Sequence, residues 1–227
     1  MPAADLIDAL AHAAVSIRRS TTAEQVAETL RRQITNGALP PGTRLREEAV
    51  VGALGVSRNT VREAFRLLAH QRLVDHALHR GVHVRAVSAD DVRELFATRR
   101  LIQPLGIAAA LHDATLCVAL EEQVDAAALA AASDDWTGVG TANMAFHLVM
   151  VAGCGSGHVT AMFEQLVAEL RLAFLQMPDH KSLHEPYIDG NRRLVDLLTA
   201  GRRTEALAEL AHYLDSAEKQ LLDQLAA

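Results

Sequence analysis

The stretch LGVSRNTVREAFRLL, residues 54–68, decides the fold of the first part of the chain. Gly55 has the backbone freedom for a tight turn, and Ser57 is of a residue type that caps helix N-termini. The stretch therefore predicts a turn followed by a helix over 58–70. Apolar residues recur at helical spacing on one face of this helix, and they are Val61, Ala64, Phe65 and Leu68. The other face carries polar and basic residues, a pattern typical of the second helix of a helix-turn-helix.

Two further helices are predicted ahead of this one. The first covers 22–37, with Thr22 as its N-cap and Gly37 where a terminating glycine belongs. A second, short helix is predicted at about 46–53. Three helices in this order, with a glycine turn between the last two, form a helix-turn-helix domain.

Beyond the third helix, the short alternating runs 73–75 and 82–84 predict a β-hairpin, the wing. The predicted domain is thus a winged helix-turn-helix over 21–87, with residues 1–20 as an N-terminal extension.

The first turn of the third helix carries side chains suited to a DNA major groove. Arg58 and Arg62 lie one turn apart and can enter the same groove, while the Ser57 hydroxyl and the helix N-terminus suit a phosphate. Arg80, at the glycine tip of the hairpin, can reach a minor groove. The alternative is a basic helix that contacts another protein.

The charge distribution agrees with a nucleic-acid partner for the first domain only. The whole chain carries a net charge of −6, but residues 1–87 hold 12 arginines against 8 acidic residues, a net charge of +4. Residues 88–227 carry a net charge of −10. Phosphate binding requires only local positive charge, so the acidic remainder does not argue against DNA binding.

The rest of the composition favours a cytoplasmic protein. There are two widely separated cysteines, Cys117 and Cys154, which argues against a disulfide or zinc framework. The sequence has no run of about 18 apolar residues, so no membrane span is predicted. The N-terminus also lacks the basic and then apolar segments of a signal peptide.

Residues 88–227 predict a second, all-α domain that begins at a Ser88 cap. No strand-like alternation persists there. The expected helices are 88–112, 115–132, 137–153, 156–177, 182–200 and 203–225.

The first domain resembles the GntR superfamily of winged-helix regulators. The motif begins at Gly37-x-Leu39-x-Pro41-Gly42-Thr43-x-Leu45-x-Glu47, continues through Leu54-Gly55-Val56-Ser57-Arg58-x-x-Val61-Arg62-Glu63-Ala64, and ends with Leu67, Leu73-Val74 and Gly81-x-x-Val84. The resemblance implies a homodimer on operator DNA. The expected DNA-contacting residues are Arg46, Ser57, Arg58, Asn59, Thr60, Arg62, Arg80 and Gly81.

Two positions depart from the family pattern. Gln71-Arg72 stands where an acidic residue and a glycine are usual, and Ala49 stands where some members carry arginine or another polar residue. These changes bear on the operator sequence.

The second domain is similar to the ligand-binding bundle of the FadR-like branch, through Leu95-Phe96-x-x-Arg99-x-x-x-x-Pro104 and Phe146-His147. A cluster of inward polar residues predicts the ligand site, since an apolar bundle with convergent polar groups is the usual form of such sites. The cluster is Arg99, Asn143, His147, Asn191 and Tyr213. A buried guanidinium needs an acid, so Arg99 requires an internal or bound carboxylate. His180 and His184 can line the mouth of the cavity.

The resemblance also implies a divalent metal, which many relatives hold with an Asp and three His. Here Asn143 replaces the carboxylate, His147 remains, Asn191 takes the third position, and the fourth falls on Tyr213 or His212. Amides and a phenol are a poor set for zinc or nickel. Three alternatives stay open: a metal at His147 with His212, direct binding of an anion, and core polar residues without a ligand.

The predicted function is a dimeric, ligand-responsive repressor controlled by a small organic acid, with no certain cofactor and no membrane partner. Alternatives are a metal-assisted sensor and a helical-bundle enzyme. An enzyme is disfavoured because the sequence has no glycine-rich phosphate loop, no paired catalytic carboxylates and no Ser-His-Asp order.

Overall fold

The computed structural model describes residues 21–77 and 81–226. Its first helix begins at residue 22 as predicted, but it ends two residues earlier than predicted and has a different cap. Helix α1 spans Thr22–Thr35 and is capped by Thr21, not by Thr22. The Thr21 hydroxyl accepts a hydrogen bond from the Glu24 amide, and the Glu24 carboxylate accepts one from the Thr21 amide. This reciprocal capping box requires the extended backbone of Thr21, whereas Thr22 is already helical. Gly37 follows the C-cap with φ +86°.

The helix-turn-helix has the predicted turn and cap. Helix α2 spans Glu47–Leu54 and ends at Gly55, which is left-handed with φ +65°. Helix α3 spans Arg58–His70, and its N-cap Ser57 accepts a hydrogen bond from the Thr60 amide. The four apolar residues assigned to the inner face of α3 are fully buried.

The wing is a three-stranded antiparallel sheet. Strand β2 (Val74–Ala77) pairs with β3 (Gly81–Val84), as the hairpin prediction required. Strand β1 (Arg44–Leu45) pairs with the other edge of β3 and was not predicted, because two residues carry no alternation. Arg80 lies outside the described residues.

The described part of the second domain is helical throughout, which confirms the mainly α fold class. Its helices are α4 (Ala89–Ala110), α5 (Ala114–Ala132), α6 (Trp136–Ala152), α7 (Gly157–Leu175), α8 (His180–Thr199) and α9 (Arg203–Leu225). Ser88 caps α4 as expected, in a second capping box with Asp91. Helix α4 packs against α6 and α9, and α6 also packs against α7 and α8.

Gly106 allows α4 and α6 to cross at short range. A Cβ on Gly106 would lie 2.4 Å from the Met150 carbonyl oxygen, which belongs to the backbone of α6. Only a glycine fits this contact, since α6 cannot retreat without disturbing the packed bundle.

No single helix in the described ranges is both long and apolar enough to cross a membrane. Helices α4 and α5 reach that length and composition only when they are taken together across a 120° bend.

Helix α7 is the element on which the winged domain is docked. The Arg171 guanidinium donates a hydrogen bond to the carbonyl of Thr35 at 2.9 Å, at the C-terminal end of α1. The Gln165 amide donates one to the carbonyl of His70 at 3.2 Å, at the end of α3. The second domain therefore contacts the ends of two helices of the first.

Arg72 adds an ionic connection between the domains. It lies in the turn after α3 with φ +56°, a left-handed backbone that is rare outside glycine. Its guanidinium pairs with Asp91 at 3.0 Å and with the buried Glu169 of α7 at 3.1 Å. Burial raises the pKa of Glu169, and the Arg72 guanidinium opposes that shift.

Candidate functional site

The start of α3 presents its basic side chains to solvent. The side chains of Arg58 and Arg62 are 70% and 61% exposed. Each lies near an acidic residue of α2, with 3.4 Å from Arg58 to Glu48 and 3.9 Å from Arg62 to Glu47. Exposed pairs at these distances contribute little, so both guanidiniums are available to exchange a carboxylate for a phosphate or a base edge.

The other predicted DNA-contacting residues of this region share the same exposed surface. Asn59 and Arg46 are exposed, and Arg46 occupies the N-cap position of α2 without a capping bond from its side chain. The Ser57 hydroxyl, which caps the helix by accepting a hydrogen bond from the Thr60 amide, also lies 2.8 Å from the Thr60 hydroxyl.

At the wing, Gly81 is left-handed with φ +85°, as the first residue after the hairpin tip. The Arg44 guanidinium lies 3.8 Å from the position of a Cβ on Gly81. Arg44 therefore adds a basic group beside Gly81, which sequence reasoning missed because β1 was not recognised.

Inside the bundle, three of the five predicted ligand-site residues meet at one atom. The side-chain oxygen of Asn143 accepts a hydrogen bond from the Asn191 amide at 2.7 Å and from the Tyr213 hydroxyl at 2.8 Å. All three side chains are buried. Helices α6, α8 and α9 are thereby joined through a polar centre.

Arg99 is buried beside this centre without an acidic partner. Within the described ranges its guanidinium forms no ion pair, its Nε has no hydrogen-bond partner, and it lies 4.7 Å above the Phe96 ring. Burial lowers the pKa of Arg99 to about 10, so the side chain stays charged at neutral pH. The internal acid considered from the sequence is absent from the described residues.

His147 completes the predicted set and is also unsatisfied. Neither ring nitrogen has a hydrogen-bond partner among the described residues, and the ring meets Tyr213 edge to face at 4.9 Å. Burial and the Arg99 charge lower the pKa of His147 well below its usual value, so the imidazole is neutral.

Arg99, Asn143 and Tyr213 border a small cavity of about 10 Å³, room for about one water molecule. Its wall consists of Arg99, Asn143, Phe174, Leu183, His184, Tyr187, Tyr213, Ala217 and Gln220. His184 lies in this wall, in the second turn of α8, whereas His180 is not among the lining residues. His147 and Asn191 are not in the wall itself.

Tyr187 and Gln220 were missed by sequence reasoning. The Tyr187 hydroxyl donates to the Gln220 side-chain oxygen at 2.8 Å, and the Gln220 amide donates to the Ser182 carbonyl at 2.8 Å. This pair closes the cavity between α8 and α9. The spacing of His184, Tyr187 and Asn191 on one helical face could have revealed Tyr187.

The donor set does not fit the divalent metal that the family resemblance implied. The Asn143 oxygen already accepts two hydrogen bonds, and the neighbouring Arg99 is a cation. His212 lies on the exposed face of α9, and it is Tyr213 that meets the buried His147 ring. The described residues contain no group of three or more His, Cys, Asp or Glu side chains that could hold a metal ion.

A winged helix-turn-helix with an exposed basic helix, docked on a helical bundle with a small polar cavity, defines a DNA-binding regulator with a sensor domain. Residues 22–84 match the family described as bacterial regulatory proteins, gntR family, and residues 94–216 match the FCD domain. The chain therefore belongs to the GntR family, and its second domain is an FCD domain.

Individual relatives agree with this assignment. A GntR transcriptional regulator from Rhodococcus sp. RHA1 has a solved structure that is 39% identical, with a TM-score of 0.84 over 90% of this chain and 99% of that chain. A protein described as a D-xylose utilization operon transcriptional repressor of Paenarthrobacter nicotinovorans is 28% identical over 201 residues, 87% of this chain and 88% of the relative. The gluconate operon transcriptional repressor of Bacillus subtilis is 31% identical over 88 residues, 38% of this chain and 35% of the relative.

The family and these relatives are transcriptional regulators, which excludes the enzyme alternative. The prediction of a DNA-binding regulator with an effector domain is confirmed.

Proposed function

We propose that the protein is a homodimeric repressor that acts in the bacterial cytoplasm and leaves its operator when a small organic acid binds at Arg99. The observation that carries this proposal is the charged, buried Arg99 guanidinium, which has no acidic partner in the described part of the chain.

The energetic argument starts from the cost of that buried charge. Burying an unpaired charge is unfavourable by several kcal/mol, and a carboxylate that pairs with it recovers much of this free energy. The Asn143–Tyr213 hydrogen bond lies in the same wall and supplies polar groups that can orient the acid. The neutral His147 adds two unpartnered nitrogens behind this wall.

The names of the relatives support the repressor part of the proposal. Two of them are named as repressors of operons for D-xylose utilization and for gluconate. Gluconate is itself a small carboxylate. A dimer is proposed because two recognition helices are needed to read the two half-sites of a symmetric operator.

The effector enters only if the cavity opens, since about 10 Å³ holds no organic acid. The Tyr187–Gln220 hydrogen bond is the contact that must break. The proposal therefore requires an open form of the cavity, which the effector selects.

A thermal-shift screen of chelator-treated protein against small organic acids tests the proposal. We expect stabilisation by an acid without metal, and its loss in Arg99→Met. The matched control is Arg100→Met, because the adjacent Arg100 is half-exposed and pairs with Asp215 and Glu218. Stabilisation that survives in Arg99→Met, or that appears only with zinc or nickel, would show that the proposed site is wrong.

A further inference from the structure

A second group of unpartnered buried nitrogens surrounds Gly140, at the start of α6. A Cβ on Gly140 would lie 2.5 Å from Nε2 of His184 and 2.8 Å from Nη1 of Arg171. The two nitrogens therefore face the same spot. Both side chains are only 1% exposed, and neither nitrogen has a hydrogen-bond partner among the described residues.

The surroundings of these nitrogens carry the charge of Arg171 and have no acid within ion-pair distance among the described residues. Nδ1 of His180 is also buried and unpartnered, and its ring stacks on His184 at 6.4 Å. Asp135 acts on Arg171 from beyond ion-pair distance. Burial, followed by the charges of Arg171 and His180, lowers the pKa of His184 to about 3. Nη1 of Arg171 is a charged donor, and the neutral imidazole of His184 donates from Nε2 in one of its two tautomers, so an anion beside Gly140 would meet two donors.

This group adjoins the effector cavity. His184 belongs to the cavity wall together with Arg99, and its ring meets Phe174 of the same wall at 5.1 Å. Arg171 is not among the lining residues of the cavity, but its Nη1 and the Nε2 of His184 both approach the position of a Cβ on Gly140. The Arg171 charge therefore lies next to a residue of the wall that holds Arg99.

We propose that Arg171 and His184 form a second anion-binding position of the effector cavity, so that the effector is a small dicarboxylate with one carboxylate at Arg99 and the other at Arg171. This inference rests on the proposed function, because it assumes that an acid binds at Arg99. It assigns Arg171 a role that no motif in the sequence indicated.

The second position also connects the effector to the DNA-binding domain. Arg171 donates from Nε to the Thr35 carbonyl of α1 and from Nη2 to the Thr137 carbonyl at 3.4 Å. A carboxylate that pairs with Nη1 of Arg171 pulls the guanidinium toward the cavity and away from the Thr35 carbonyl. The winged domain then loses one of its attachments to α7, which links effector binding to release from DNA.

Two pairs of acids of equal chain length test the proposal by titration calorimetry on the full chain: succinate against butyrate, and glutarate against valerate. We expect the better dicarboxylate to bind about tenfold or more tightly than its monocarboxylate partner, as one additional charge-assisted pair would give. In Arg171→Met this preference falls to near one, while the affinity for the monocarboxylate is unchanged.

Gly140→Ala provides a second test, which does not depend on the folding of Arg171→Met. Its methyl group would fill the spot between the two nitrogens, and Gly157→Ala is the matched control because it has open space around it. A preference for dicarboxylates that is absent from the wild-type protein, or that persists in both variants, would overturn the inference.

The variant Arg99→Met separates this inference from the proposed function. If all four acids bind equally well to Arg99→Met and to the wild-type protein, or none binds to the wild-type protein, the proposed function fails. If Arg99→Met abolishes binding but the wild-type protein does not prefer dicarboxylates, only the second position fails.

Discussion

Gln176 and Val87 form a closed pair of hydrogen bonds between the two domains. The Val87 amide donates to the Gln176 side-chain oxygen at 2.6 Å, and the Gln176 amide donates to the Val87 carbonyl at 3.0 Å. Val87 is buried in the segment between β3 and α4. One side chain at the end of α7 thus satisfies both backbone groups of the connection.

Gln176→Ala should loosen this connection. The change leaves a buried amide and a buried carbonyl without partners, at a cost of about 1–3 kcal/mol of unfolding free energy. Hydrogen exchange by mass spectrometry should show faster exchange in the segment around Val87. Gln165→Ala removes a single, exposed hydrogen bond to His70 and should have a smaller effect. Equal exchange rates in the two variants would contradict the prediction.

Arg58→Ala should weaken operator binding by about 10- to 100-fold if Arg58 contacts a base edge, and it should relax sequence preference at that base pair. Fluorescence anisotropy with a DNA site selected by the wild-type protein provides the measurement. Arg93→Ala is the control, since Arg93 is an exposed arginine of α4 that pairs with Asp90. An Arg58→Ala protein that binds as tightly as Arg93→Ala would exclude Arg58 from the interface.

Gly106→Ala should destabilise the second domain by about 1–3 kcal/mol, because its methyl group would overlap the backbone of α6 at Met150. Gly52→Ala offers the matched comparison, since this helical glycine has no neighbour within 4 Å of an added Cβ. There the change should stabilise the protein by about 0.5–1 kcal/mol. Urea unfolding of both variants measures the difference, and shifts of the same sign would be evidence against the close crossing.

His184 should make the protein less stable in mild acid. Its pKa is lowered to about 3 by burial, Arg171 and His180, whereas the unfolded chain titrates near 6.5. Between these values the unfolded state binds more protons, so stability falls as the pH drops below about 6.5 and is unaffected above it. From pH 7.5 to pH 5.5 the histidine should contribute a loss of about 1.4 kcal/mol.

The measurement is urea unfolding at both pH values for the wild-type protein, His184→Gln and the exposed His158→Gln. We expect the decrease between pH 7.5 and 5.5 to be smaller in His184→Gln alone. Parallel decreases in all three proteins would mean that His184 is not the group concerned.

Arg72→Gly should relieve strain in the backbone at residue 72 but weaken the contact between the two domains. Glycine removes about 1 kcal/mol of left-handed strain but also removes the pairs with Asp91 and Glu169. Because Arg72 is 43% exposed, solvent screening limits the coupling between Arg72 and Glu169 to about 1 kcal/mol. A double-mutant cycle with Glu169→Gln measures this coupling, and strictly additive effects would refute it.

The fold was predictable where local signals agree. Gly55, Ser57 and the apolar face of α3 specify one turn and one helix, and the structure has both. The exact ends of helices were harder to predict. At the start of α1, Thr21 and Thr22 are the same residue type, and only the hydrogen bonds with Glu24 select Thr21 as the cap. Strand β1 was missed because its two residues are extended only through their pairing with β3.

The candidate site was predictable only in part, for a similar reason. Helical spacing placed Asn143, Asn191 and Tyr213 on inward faces, but only tertiary packing brings them to a shared hydrogen-bond centre. Arg171 gave no signal, because its partners are the backbone carbonyls of Thr35 and Thr137, far away in the sequence.

The attachments on α7 have a consequence for how such regulators diversify. Gln165, Arg171 and Gln176 contact main-chain groups of the winged domain, not its side chains. Main-chain groups are present whatever the side chains are. The sequence of α3, the helix that would enter the DNA groove, can therefore change without loss of these hydrogen bonds to α7. Recombination near residue 87 that keeps an arginine at position 72, the side-chain partner of Asp91 and Glu169, should therefore give hybrid regulators that retain the response of the second domain.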